Sequence, residues 1–317
     1  MIRLSPGVRL VEVERGGVVE SAHTGHVVVL GADGQVRLRL GDPTQPVFAR
    51  SSLKPLQTVG MLEAGVPLTG PETALATASH SGSPQHLELI AQSLHAAGLT
   101  EDDLDCPPAL PLGVAEQRSY LAAGRTESRL AMNCSGKHTG MLLTCLANDW
   151  PVSGYLAAAH PLQQRLAATA AELAGEPVAA TAVDGCGAPL FGFSLQAVAR
   201  AFARIATGTG ARAQVAEAMR SHPDLVAGEQ RAATVLMRGV GGLIAKDGAE
   251  GCFAAALPDG GAIAVKIDDG ASRAADCAAA WALHQLGVDV GPLAALTHAP
   301  VLGGGEPVGA VRPAPGW

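Results

Sequence analysis

The chain has 317 residues, of which 48% are apolar and only 16% charged, which supplies ample core and excludes a disordered chain. A net charge of −7 with no basic run argues against nucleic acid or an anionic membrane as partner. Aromatic residues are scarce at 3%, so Ala, Leu and Val must fill the interior.

Residues 8–14 alternate apolar and polar, as a half-buried strand does. His26–Leu30 and Gln35–Leu40 flank Ala32-Asp33-Gly34, a hairpin signal. From about 52 to 245 the spacing turns helical, over Leu53–Ala64, Pro84–Ala97, Gly140–Asn148, Pro161–Ala174, Leu195–Ala206 and Ala211–Arg220. Strands return at Gly251–Leu257 and Ala262–Ile267 around Asp259-Gly260-Gly261, followed by a helix over Ala271–Leu286 and a last strand over Val301–Val311. The expected fold is α+β: one antiparallel sheet built from both termini, with an inserted helical lobe. A single catalytic unit over 1–317 is expected, with β-rich ends at about 1–45 and 250–317. No stretch approaches the ~18 apolar residues of a spanning helix, and the first residues carry no signal-like apolar run, so a cytoplasmic, soluble protein is expected. The six cysteines, Cys106, Cys134, Cys145, Cys186, Cys252 and Cys277, form no CxxC and read as free thiols or ligands.

Of 22 basic residues only four are lysines: Lys54, Lys137, Lys246 and Lys266. Arg cannot give up its proton, whereas a desolvated Lys can act as a base, so surviving lysines point to chemistry. Lys246, in Ala-Lys-Asp-Gly, reads as a plain turn residue. The other three lie in short polar motifs.

In Arg50-Ser51-Ser52-Leu53-Lys54-Pro55, Pro55 sets a helix start, and Ser51 and Lys54 fall three apart on one face. A Ser hydroxyl needs a neighbouring base to attack, and helix-start amides can hold an oxyanion. An N-capping serine before an exposed Lys is the plainer account of SxxK alone. Ser79-His80-Ser81-Gly82 reads as a polar loop at the end of an apolar run. Asn133-Cys134-Ser135-Gly136-Lys137-His138 is dense in polar types that packing does not require. With a second thiolate and one further ligand, Cys134 could hold zinc. At Val183-Asp184-Gly185-Cys186-Gly187 a short β-like run ends in a Gly-flanked turn that could place Asp184 and Cys186 in a cleft. In Val265-Lys266-Ile267-Asp268, alternation puts Lys266 and Asp268 on one strand face. Val226-Ala227-Gly228-Glu229-Gln230-Arg231 reads as a helix start.

In content and order these motifs resemble those of the asparaginase II family, the thermolabile or rhizobial type of L-asparaginase, over about residues 10–310. The resemblance implies a fold like that of the serine β-lactamases and penicillin-binding proteins. It implies an amidohydrolase turning L-asparagine into L-aspartate and ammonia, working as a homodimer. Carried over, Ser51 with Lys54 and Ser79 with Lys266 are the catalytic pairs, Ser51 being the nucleophile. Arg50, His138 and Asp184 lie near the substrate. Cys134, Lys137 and Cys186 are the ligands of a zinc ion that assists substrate binding. Ser52 is a second hydroxyl beside the nucleophile, and the motif does not decide which lysine is the base. Two other readings are an SxxK hydrolase of β-lactams or peptides, and a non-catalytic zinc sensor. The absence of S-D-N and K-T-G motifs speaks against the first, and intact Ser-Lys pairs against the second.

Overall fold

A computed structural model describes residues 5–317. Alternating sequences at the two ends of the chain meet in one antiparallel sheet. The N-terminal part contributes β1 (Val8–Arg15), β2 (Val18–Leu30) and β3 (Val36–Leu40). After β4 (Pro46–Phe48), β5 (Ala180–Val183) and β6 (Pro189–Ser194), the C-terminal part adds β7 (Ile244–Gly248), β8 (Cys252–Ala256), β9 (Ala262–Ile267), β10 (Ala299–Gly303) and β11 (Glu306–Pro313). The eight strands run β10-β11-β1-β2-β9-β8-β7, with β3 also on β2. The termini are joined at β2–β9, where Val29 opposes Ile263, and at β1–β11, where Val13 opposes Val311.

β8 and β9 are buried on both faces, and the helices Leu195–Ala206 and Ser272–His284 both pack on them. Small side chains, Ala254, Ala255, Ala256 and Ala264, allow that close cover. One hydrophobic core surrounds the sheet, and a second lies among the helices around Met61, Ile90, Met132, Met141 and Tyr155. Helix Lys54–Glu63 joins them, giving Leu56 and Val59 to the first core and Met61 to the second. Its N-terminus therefore lies at the seam between two packed bodies.

Several expected elements differ. The stretch from 52 to 245 is not wholly helical: β5 and β6 form a hairpin that pairs with β4 in a separate three-stranded sheet. Val301–Val311 is not one strand but the hairpin β10–β11, turning at Gly304 and Gly305 with φ of 60° and 93°, where glycine carries no strain. The helix expected from Gly140 begins at Ser135, because its first turn buries Ser135, Lys137 and His138, which carry no apolar signal. Helices Gly70–Ala76, Val114–Ala122 and Pro223–Val226 have no separate signal in the sequence, whereas helix Ala232–Gly239 starts directly after Arg231, where a helix start is expected. No described helix is long and apolar enough to cross a membrane.

Candidate active site

Lys54 is the first residue of its helix and only 1% exposed. Its Nζ donates to Ala78 O at 2.5 Å, to Ser79 Oγ at 3.0 Å and to Cys134 Sγ at 3.0 Å. One amine thus gathers three of the sequence motifs. The Ser79-His80-Ser81-Gly82 loop is fastened on both sides. His80 N donates to Asn133 O, and His80 Nε2 lies 2.9 Å from Ser135 Oγ. On the other side Ser79 N donates to Val226 O and Ser81 N to Ala227 O. Gly228 completes that junction: its φ is 144°, and a Cβ there would stand 2.0 Å from Ser81 Oγ, so only glycine fits. Burial, with His86 and Lys54 nearby, pushes His80 well below the ordinary imidazole range, so the ring is neutral.

Ser51 sits in the 3₁₀ turn Arg50–Leu53, half-buried, and its hydroxyl has no hydrogen-bond partner among the described residues. Arg50 just before it has φ 53°, a left-handed conformation that a non-glycine residue rarely holds. Such strain costs about 1–3 kcal/mol and concentrates at functional sites. Ser52, in contrast, is fully buried and donates to Lys246 O at 3.1 Å, which takes its hydroxyl out of the site. Ser51 and Ser79 open into the same cavity of about 540 Å³, whose wall also holds Asn133, Gly248 and Cys252.

A second cavity of about 550 Å³ lies on the other side of this turn, lined by Arg50, Glu250, Lys266 and Asp268. Lys266 and Asp268 do share a face, but the expected pairing of Ser79 with Lys266 is not formed. Lys266 Nζ is held by the carbonyls of Glu250 at 2.6 Å and Ile267 at 2.5 Å, and the lysine on Ser79 is Lys54. Arg50 and Asp184 meet: Arg50 Nε donates to Asp184 Oδ1 at 2.7 Å, because β4 and β5 flank β6 and deliver both residues to one end of the small sheet.

Beyond Lys54 lies a thiol pocket. Cys134 and Cys186 are buried and face each other. Lys137 Nζ is 3.2 Å from Cys186 Sγ. The hydrogen bond from Cys134, opposed by burial and helped by Lys137, drives the Cys186 thiol down. Cys134 is raised correspondingly, by that same bond and by burial. Burial disfavours the Lys137 ammonium, but the two sulfurs outweigh it and raise Lys137. His138 Nδ1 is 2.7 Å from Tyr155 Oη, while its buried Nε2, on the Cys186 side, has no partner in normal range. No cluster of three or more His, Cys, Asp and Glu is disposed for a metal among the described residues. Two facing thiols nevertheless match the sulfur donors that zinc takes, Lys137 would be an unusual ligand that serves only as the neutral amine, and the orphaned His138 nitrogen beside them marks a pocket whose polar groups are not all satisfied internally.

Sequence reasoning missed a second charged group. Lys246 is no turn residue: it lies in β7, is 0% exposed, and bonds Asp247 O at 2.7 Å and Asp247 Oδ1 at 2.9 Å. Burial lowers its pKa to about 8, with Asp247 opposing. Arg231 Nη2 donates to the other oxygen, Asp247 Oδ2. Arg231, Asp247 and Asp276 line the same cavity as Ser51 and Ser79. The signal that could have found them is lysine scarcity, which applies to Lys246 as well.

No curated protein matches the chain at a significant level. The family model described as L-asparaginase II matches residues 11–313, and so takes in every motif gathered around Lys54. The protein belongs to the L-asparaginase II family and is an asparaginase-type enzyme.

Proposed function

We propose that the protein is an L-asparagine amidohydrolase that works by a Ser-Lys nucleophilic mechanism of the serine β-lactamase type. The observation that carries this reading is the buried Lys54 amine touching Ser79 at the wall of a cavity into which Ser51 opens. Lys54 must first give up one of the three hydrogens it donates to Ala78, Ser79 and Cys134; the free amine then takes the proton of Ser51, with which it makes no hydrogen bond in the resting structure. Ser51 Oγ attacks the side-chain amide carbon, and amides of the helix start hold the oxyanion. Ser79, already hydrogen-bonded to Lys54, passes that proton to the departing nitrogen, which leaves as ammonia. Water then cleaves the aspartyl ester by the same route in reverse and returns the proton to Ser51. Arg50, Asp184 and His138 border this centre in our reading, and Lys266 borders the neighbouring cavity beside Arg50.

A second assignment has one observation in its favour. Ser79, not Ser51, is within 3.0 Å of a lysine nitrogen, so Ser79 could be the nucleophile with Lys54 as its base. The reaction would be the same with the two hydroxyls exchanged. An ammonia-release assay with asparagine, glutamine and the β-lactam nitrocefin side by side tests the activity. Release from asparagine with no opening of nitrocefin is expected. Nitrocefin turnover without asparaginase activity would make the protein a different SxxK hydrolase.

We further propose that zinc binds at Cys134, Lys137 and Cys186, where it would supply a Lewis acid that assists substrate binding. Lys137 must lose its proton to ligate, so metal uptake should release protons and weaken as pH falls. Elemental analysis of protein purified without chelator should give about one zinc per chain, falling to trace in Cys186→Ser. A metal-free protein with full activity removes zinc from the reaction.

A further inference from the structure

The cavity shared by Ser51 and Ser79 contains a charged pair to which the reaction above gives no task. Arg231 precedes helix Ala232–Gly239, and its Nη2 is held by Asp247, itself clamped from the other side by Lys246. Its Nε and Nη1 have no protein acceptor among the described residues, and the side chain remains 29% exposed to the cavity. Asp276, on helix Ser272–His284, lines the same cavity and makes neither a hydrogen bond nor an ion pair with any described protein group. Burial and the neighbouring Asp247 raise its carboxyl to about 7, with Arg231 pulling the other way. A desolvated acid without a partner is costly unless a cation reaches it. Lys246, Asp247 and Arg231 together carry one net positive charge, and Asp276 supplies the matching negative one when it ionises, which a bound cation favours. The two charges face one hollow without touching, an arrangement complementary to a zwitterion.

We propose that Arg231 binds the α-carboxylate and Asp276 the α-ammonium of the amino-acid substrate while its carboxamide lies at Ser51. These two residues would then set the preference for an α-amino acid over a simple amide. The assignment rests on the amidohydrolase reading above. It differs from the expectation that placed Arg50 and Asp184 near the substrate, because Asp184 is already taken by Arg50 at 2.7 Å, whereas Asp276 has no partner among the described residues. Nη2 carries two hydrogens, and the one not given to Asp247 forms, with Nε or Nη1, one free edge of the guanidinium that suits a carboxylate fork.

The test uses three amides: asparagine, succinamic acid, which lacks the α-amine, and 3-aminopropanamide, which lacks the α-carboxylate. Arg231→Lys keeps a cation against Asp247 but loses the fork. It should lower kcat/KM for asparagine and succinamic acid roughly 10²-fold relative to 3-aminopropanamide. Asp276→Asn removes charge from a side chain with no protein partner. It should lower kcat/KM for asparagine and 3-aminopropanamide by a similar factor relative to succinamic acid. A residue that merely supported the fold would depress all three substrates alike. Wild-type ratios in both variants overturn the proposal and leave the amidohydrolase reading standing. If the wild-type protein releases no ammonia from asparagine, that reading fails instead, and the head-group site is read by binding. L-Aspartate should then raise the melting temperature of the wild type and not of Asp276→Asn, whereas equal protection of both overturns the proposal.

Discussion

Ser51→Ala should release ammonia from asparagine ~10²–10⁴-fold more slowly than the wild type, with a melting temperature close to it. The two halves of that expectation have separate causes. The hydroxyl has no hydrogen-bond partner among the described residues and stands half-buried at the cavity wall, so its removal breaks no internal contact and leaves only a small void. The rate falls because the covalent step disappears, leaving whatever positioning and oxyanion stabilisation can do for water. Lys54→Met should show a comparable loss in rate but a lower melting temperature. It strips the donor from Ala78 O, Ser79 Oγ and Cys134 Sγ together and leaves buried acceptors unpaired. Ser79→Ala separates the two assignments of the nucleophile. If Ser51 attacks, stopped mixtures of wild type and substrate contain an aspartyl ester on the peptide bearing Ser51, and Ser79→Ala still forms it. An adduct on Ser79, or a folded Ser51→Ala variant with the wild-type rate, rejects Ser51.

What the sequence made legible was the set of motifs and the architecture that carries them. Alternation at both ends pointed to a shared sheet, and β2–β9 and β1–β11 are that junction. Lysine scarcity was the stronger signal. Lys normally stays at the surface, yet Lys54, Lys137, Lys246 and Lys266 are 1%, 2%, 0% and 7% exposed, so composition pointed to all four even where local pattern did not. Asp-Gly after Lys246 is a turn signal, and the lysine's burial depends on pairing with β8, which is not local. Partnerships between motifs were likewise invisible. Lys266 lies far along the chain from both serines, and nothing in its spacing shows that two backbone carbonyls hold its amine on the Arg50 side. Of the hairpin β5–β6, the β-like run before Asp184 and its Gly-flanked turn are legible, while the returning strand β6 is masked by the helical stretch around it; the hairpin carries Asp184 and Cys186 to the seam.

The seam explains why the chemistry gathers where it does. Helix Lys54–Glu63 gives Leu56 and Val59 to one core and Met61 to the other, and its first turn is pinned by Lys54 on Ala78, Ser79 and Cys134, beside the left-handed backbone of Arg50. The loop at Ser79 is buried, with His80 stacked on His86. Backbone bonds to Asn133, Val226 and Ala227 fasten it, with Gly228 pressed against Ser81. Rigid support of that sort keeps reacting groups in place without filling the cavity beside them.

Asp276→Asn should make the protein more stable, and by an amount that grows with pH. The carboxyl rises from its ordinary 3.8 to about 7 on folding, chiefly through burial and then through Asp247 on β7, with Arg231 opposing. The folded protein therefore holds this proton more tightly than the unfolded chain does. Protonation favours folding at low pH, and that contribution is lost progressively as pH climbs from 3.8 to about 7. Asparagine is neutral throughout, so the variant escapes the loss. Its advantage over the wild type should increase by about 2–3 kcal/mol between pH 5 and pH 8, at about 1.4 kcal/mol per pH unit within the window. Denaturant melts of both proteins at the two pH values read it directly. An advantage that stays constant with pH would mean that Asp276 titrates alike in the folded and unfolded chain and is neither desolvated nor repelled. An advantage that grows, together with loss of L-aspartate binding in the same variant, would show that a stabilising neutral residue is excluded here because the site needs the charge.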